Sequence, residues 1–204
     1  MRIHRLTIAV LVAQLTGCYV QVEDDSVQVT HSLCPSSAGD CIPGGGVTPI
    51  NAFNSSGSNM FTVNLGDVPL LKNSDSLGPA TLHTTLELKS ASFDMVTTGS
   101  GADFSGVQTV QLLSAPSGSL SGTDPCADIA KCKIIAVYDR SIDGMPDPRR
   151  VVMKSRIPNL VDVIDPTSHS ITIEVKASGA APKVRVWTAN LTLDLGIKSS
   201  VNYP

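Results

Sequence analysis

The chain has 204 residues, enough for one sizeable domain and too few for two comfortable ones. Its 15 basic and 18 acidic residues give a net charge of −3, and no basic run interrupts that mild acidity, which argues against nucleic acid as a partner. Charged residues make up only 16%, with 16 Gly and 13 Pro, a balance that suits a turn-rich β-protein better than a helical bundle.

The chain opens with MRIHRLTIAVLVAQLTGC. Arg2 and Arg5 precede an apolar stretch at 6–15 that only Thr7 and Gln14 interrupt. That stretch is about half the roughly 20 residues a spanning helix needs, so it reads as an export signal and not as a permanent span. A plain secretory cut after Gly17 would place Leu15 where a small residue is required. Leu15-Thr16-Gly17-Cys18 instead resembles the lipobox of bacterial lipoproteins. The resemblance covers these 18 residues. It implies a diacylglycerol on the Cys18 thiol, cleavage after Gly17 and often acylation of the new amino group. At about 0.8 kcal/mol per buried CH₂, two or more chains hold a protein stably on a membrane. Tyr19 stands where an Asp would favour retention in the inner membrane, so the resemblance points to the cell envelope and favours the outer membrane. The competing reading is a plain signal peptide whose Cys18 belongs to a disulfide. Cleavage removes Arg2 and Arg5, leaving 13 basic residues against 18 acidic ones.

Residues 18–59 are expected to form the lipidated N-terminus and a flexible tether. The part at 19–30 alternates weakly around Glu23-Asp24-Asp25 and suits a short hairpin or an edge strand. Beyond it, PSSAGDCIPGGGVTPINAFNSSGSN is dominated by Gly, Ser, Pro and Asn and offers too little apolar surface to offset its ordering entropy. Gly44-Gly45-Gly46 has no following Lys-Ser/Thr and no strand-then-helix context, so it reads as linker and not as a phosphate loop. About 40 residues of random coil at 5–6 Å × √n would stand the domain on the order of 35 Å from the lipid.

Residues 60–204 are expected to form a β-sandwich domain. Phe61, Val63 and Leu65 alternate with polar neighbours. The run at 82–96 places Leu82, Leu86 and Leu88 on one face, then shifts phase to Ala91, Phe93 and Met95, which predicts a β-bulge or a bend near Ser90. Strands are also expected at 107–113, 133–138 and 151–155. Asp124-Pro125 suits the start of a helical turn at 124–130, while 159–164 is ambiguous between helix and strand. Ile171, Ile173 and Val175 alternate with Thr172, Glu174 and Lys176, and the turn at 178–182 predicts a hairpin with a long strand at 184–195. Seven or eight strands with almost no helix give an all-β fold: an immunoglobulin- or fibronectin-like antiparallel β-sandwich, with a small β-barrel as the alternative. The strand layout also resembles uncharacterised bacterial lipoproteins, a likeness that carries no functional motif.

With Cys18 assigned to lipid, Cys34, Cys41, Cys126 and Cys132 form two local couples. An even number in an exported chain points to disulfides, and of three available connectivities Cys34–Cys41 and Cys126–Cys132 are favoured because short loops close cheaply. Neither couple has the C-x-x-C spacing of a zinc knuckle. Asp139, Asp143 and Asp147 share the loop YDRSIDGMPDP and are a weak Ca²⁺ candidate; their spacing of four departs from the alternate acidic positions of an EF-hand, and Asp is common in turns for its own backbone hydrogen bonds. Arg149 and Arg150 are expected to pair with these acids or with solvent. His31, His83 and His169 are scattered, no G-x-S-x-G occurs, and Glu87, Asp94, Asp162 and Asp165 show no sign of converging as a glycosidase pair. The sequons at Asn54 and Asn190 read as accidental in a bacterial chain. No catalytic residue, metal or cofactor is therefore assigned. The expected role is non-enzymatic: a lipid-anchored module for binding, adhesion or assembly, held to the membrane through Cys18 and offering loops or a sheet edge to an envelope protein. The alternatives are a carrier of a small apolar ligand and a hydrolase with a loop-borne site.

Overall fold

The computed structural model describes residues 19–33, 59–65, 81–115, 126, 128–165, 167–183 and 187–202. Eight strands account for most of them: β1 Tyr19–Leu33, β2 Asn59–Asn64, β3 Thr81–Met95, β4 Val107–Ser114, β5 Lys133–Asp139, β6 Arg150–Ser155, β7 Ser170–Gly179 and β8 Ala189–Asn202. Among the described residues helix amounts to one turn, α1 Arg140–Asp143, and 3₁₀ turns at Ile129–Lys131 and Leu160–Val163, with Cys126 also in 3₁₀ conformation. The ambiguous stretch at 159–164 is thus a 3₁₀ turn, which Asn159 caps by accepting from the Val161 N–H.

All strand pairs are antiparallel, in the order β1-β8-β3-β6-β5-β4-β7-β2. The nesting is regular. The first strand pairs with the eighth, the second with the seventh, the third with the sixth and the fourth with the fifth. This is the connectivity of a jelly roll, a long hairpin rolled over so that two four-stranded halves face each other. The all-β, antiparallel fold expected above is therefore present, as one nearly closed, barrel-like sheet of eight strands consistent with either the sandwich or the small barrel. Its two edge strands approach each other where His31 of β1 stacks on Phe61 of β2, with ring centroids 4.9 Å apart.

One core fills the space between the halves. Leu86, Leu88, Phe93, Leu112, Ile173, Leu191 and Leu195 come from alternate positions on their strands, and Phe104 meets Trp187 edge-to-face at 5.7 Å. The phase change in β3 is a register irregularity between Leu88 and Ser90, as the shift of apolar positions requires.

Two expectations need correction. Residues 19–33 belong to the sheet as its edge strand, so the domain begins at least 40 residues earlier than 60 and the tether cannot start at Cys18. Residues 34–58, including Cys34 and Cys41, lie outside the described residues, as does Cys18. The expected hairpin between β7 and β8 does not form: β7 pairs with β2 and β4, whereas β8 pairs with β1 and β3. The turn holds the end of β7 against the start of β4 instead. Gly179 has a φ of 107°, a Cβ there would collide with the Gly106 carbonyl, and the Ala180 N–H donates to that carbonyl at 2.9 Å. Ala181 and Trp187 are buried as the chain crosses to the other half.

A second, smaller core lies on the outer face of β2, β4 and β7. Met60, Leu113 and Ala115 are covered there by Cys126 and Cys132, which form a disulfide with a Cα–Cα distance of 5.6 Å. Glu174, on the same face, is fully buried. Its Oε2 accepts from the Cys126 N–H at 3.2 Å, while Lys176 Nζ lies 3.4 Å from Oε1 and donates to the Cys126 carbonyl at 3.0 Å. Both backbone groups of Cys126 are thus gripped by one carboxylate–ammonium pair.

Candidate functional site

Inside the sheet, the thinnest pairing among the described residues lies between β5 and β6. β5 and β6 pair at only two positions, Ala136 with Ser155 and Val137 with Lys154, whereas β3 and β6 pair continuously from Ser90/Lys154 to Asp94/Arg150. Hydrogen-bond direction alternates along a strand. The Met95 N–H donates to the Arg149 carbonyl, so Val151 and Met153 face β3, and Arg150, Val152 and Lys154 face β5. The Arg156 N–H donates to the Ile135 carbonyl, which gives the same phase from the other side. In that register Asp139 would bond Val152. That pair does not form, and the Asp139 N–H is taken by Asp143 Oδ2 at 3.0 Å. The pairing therefore stops at Val137/Lys154, and the Val152 C=O loses the β5 donor that this register would give it.

An open cleft of about 610 Å³ lies where that pairing stops. Tyr138, Met145 and Pro146 line one side, and Met95, Arg150, Val152 and Lys154 the other. Val152 is 47% exposed and Met145 68%, both unusual for large apolar side chains in this molecule. The wall is stiff. Arg149 donates to the carbonyls of Ala102 and Met95 at 3.0 and 2.9 Å, tying the β5–β6 loop to the end of β3. Arg150 pairs with Asp94 at 3.2 Å and donates to Ser92 Oγ, which in turn donates to Asp94 at 2.7 Å. Lys154 meets Asp143 at 2.6 Å. This ammonium first, and the Asp139 N–H second, hold the Asp143 carboxyl below the usual carboxylate range. Across the loop, Tyr138 Oη donates to the Gly144 carbonyl at 2.8 Å, and burial pushes the phenol up.

The loop acids are consequently not gathered around a common point. Asp139 accepts from the N–H and hydroxyl of Ser141, Asp143 pairs with Lys154, and Asp147 accepts from the Arg149 N–H at 2.7 Å. No group of three or more His, Cys, Asp or Glu side chains placed to share a metal ion occurs among the described residues. The two guanidinium groups pair elsewhere than with the loop acids, that of Arg149 with backbone carbonyls and that of Arg150 with Asp94. His31 stacks on Phe61, His83 stands opposite Ser200 on β3, and His169 occupies the turn before β7 with a φ of 49°. Glu87 and Asp94 stand on β3, whereas Asp165 serves its own turn by accepting from the Thr167 N–H. Asn190 lies on β8 opposite Ser32.

No family model matches the chain, and no curated protein does. Among solved structures it is similar, at a low level, to VP1 of Trichodysplasia spinulosa-associated polyomavirus, a structure in complex with sialylated precision glycooligomers. Identity is 8%, coverage is 96% of this chain and 98% of that one, and the TM-score is 0.26. A likeness this low bears neither on fold nor on function.

The cleft was not foreseen from sequence. Its one legible signal is Val152, an apolar residue at an outward position between Arg150 and Lys154.

Proposed function

We propose that this chain is a lipid-anchored, non-enzymatic binding module of the bacterial envelope, and that it takes an extended segment of a protein partner at the β5–β6 seam. The Val152 backbone carries the reading: its C=O loses its β5 donor where the β5–β6 pairing stops, inside a cleft with exposed apolar side chains. A guest strand laid along β6 would gain main-chain hydrogen bonds there and set side chains against Met145 and Val152. The charged residues around the cleft already have partners, so they serve as a rigid frame and would add selectivity by excluding unpaired charge. A carrier of apolar ligands fits this cleft less well, because three acids and three bases line it. The lipobox resemblance supplies the anchoring half of the proposal.

The test is a photoreactive amino acid at position 145 in the lipidated, full-length protein, with crosslinking in intact envelopes. We expect a crosslinked protein partner, lost in Val152→Pro. That substitution deletes the seam-facing N–H and leaves the β3 pairing, which runs through Val151 and Met153, in place. Crosslinking that persists undiminished in a folded Val152→Pro variant, or no adduct at all, would refute strand addition.

A further inference from the structure

We infer that the domain stands end-on at the membrane, with the β1/β8/β3 end against the lipid surface and the cleft turned away from it. The inference rests on the anchoring reading above and goes beyond it by assigning a face of the domain to the bilayer. β1 begins at Tyr19, one residue after Cys18, and is in register with β8 from its first residue, Tyr19 opposite Asn202. A single peptide step is about 3.8 Å, so a lipid on Cys18 leaves the sheet no slack. Asn202 is also opposite Thr81, the first residue of β3, so three strands share this end. The next register row is Val20, Val201 and Leu82, an apolar row one step further from Cys18. The acidic run begins at Glu23, which stands roughly 13 Å back from Tyr19 at about 3.3 Å per residue, beyond the ~8 Å reach of unscreened charge, and Lys198 is its register partner.

The cleft lies at the other end of the same strands. Met95 is opposite Ala189 and Asp94 opposite Asn190, at the last rows of β3 and the first of β8. From Asn202 back to Ala189, β8 spans roughly 40 Å at about 3.3 Å per residue. The seam is thereby held at a fixed height above the membrane by paired strands. A coil tether of the length expected from sequence would let it sample every height from contact upward.

The test uses the lipidated, full-length protein in phosphatidylcholine vesicles carrying a nitroxide-labelled lipid. A fluorescent amino acid is placed either at exposed Thr85, near the proximal end, or at exposed Met145, at the cleft. Quenching several-fold greater at 85 than at 145 is expected, and a long Gly-Ser insert between Cys18 and Tyr19 should abolish the difference. Equal quenching at the two positions without the insert overturns the end-on arrangement while leaving lipid anchoring intact. Mass spectrometry of the mature N-terminus separates the two claims: an unmodified Cys18 removes the anchoring reading and this inference with it.

Discussion

Asp143 closes the β5–β6 loop twice, through the Lys154 ammonium and through the Asp139 N–H. Both contacts favour the ionised carboxylate, so the folded protein binds the Asp143 proton less tightly than the unfolded chain does. The stabilisation is fully present above the ordinary carboxylate pKa and is lost as pH falls through the lower, folded value. Asp103, held down mainly by the Ser105 hydroxyl, acts in the same sense. Denaturant titrations at neutral pH and near pH 3.5 should show stability falling with acid, and Asp143→Asn should lose less of it. Because Lys154 is largely exposed, that variant should cost less than about 1 kcal/mol at neutral pH. Asp143→Ala also strands the Asp139 N–H and should cost about 1–2 kcal/mol. The opposite regime holds at Glu174. Its carboxylate is buried, so Lys176→Met should cost about 3 kcal/mol, whereas Lys131→Met, which removes an exposed pair with Asp128, should cost under about 0.5 kcal/mol.

At the scale of elements, the disulfide and the Glu174–Lys176 pair hold one loop over one apolar patch. A loop closed by residues 126 and 132 gives about 2 kcal/mol by chain entropy, and its release would also uncover Met60 and Leu113. Cys132→Ser should therefore lower the denaturation midpoint by at least that energy and raise binding of a hydrophobic dye; an unchanged midpoint would show that the ion pair alone retains the loop. The strands themselves were largely legible. Alternation marked the buried residues of β2, β3 and β7, and the shift from Leu88 to Ala91 marked the bulge, because a period of two has no other way to move its apolar face. The edge role of residues 19–30 was legible as well, but their membership of the domain was not, since acidic Glu23-Asp24-Asp25 masks the pattern.

At the scale of the whole molecule, pairing was the part that local signals could not supply. Alternation says which face is buried and not which strand lies beside it, and the turn after β7 looked like a hairpin because Ser178-Gly179 meets the local rules for one. Burial of Ala181 and Trp187 draws the chain over to the other half instead. The cleft depends on this long-range layout. Tyr138 and Val152 line one cleft only because two strands that pair at one end diverge toward the loop that connects them, a geometry with no local signature. The nested pairing also constrains assembly. Thr81 and Tyr19 both wait for Asn202, so the strand nearest the N-terminus finds its neighbour only when the C-terminal strand has arrived. Contacts so distant along the chain make for slow folding. With the front of the chain held at a lipid surface as proposed, closing the β1–β8 ladder would be the act that sets the molecule upright.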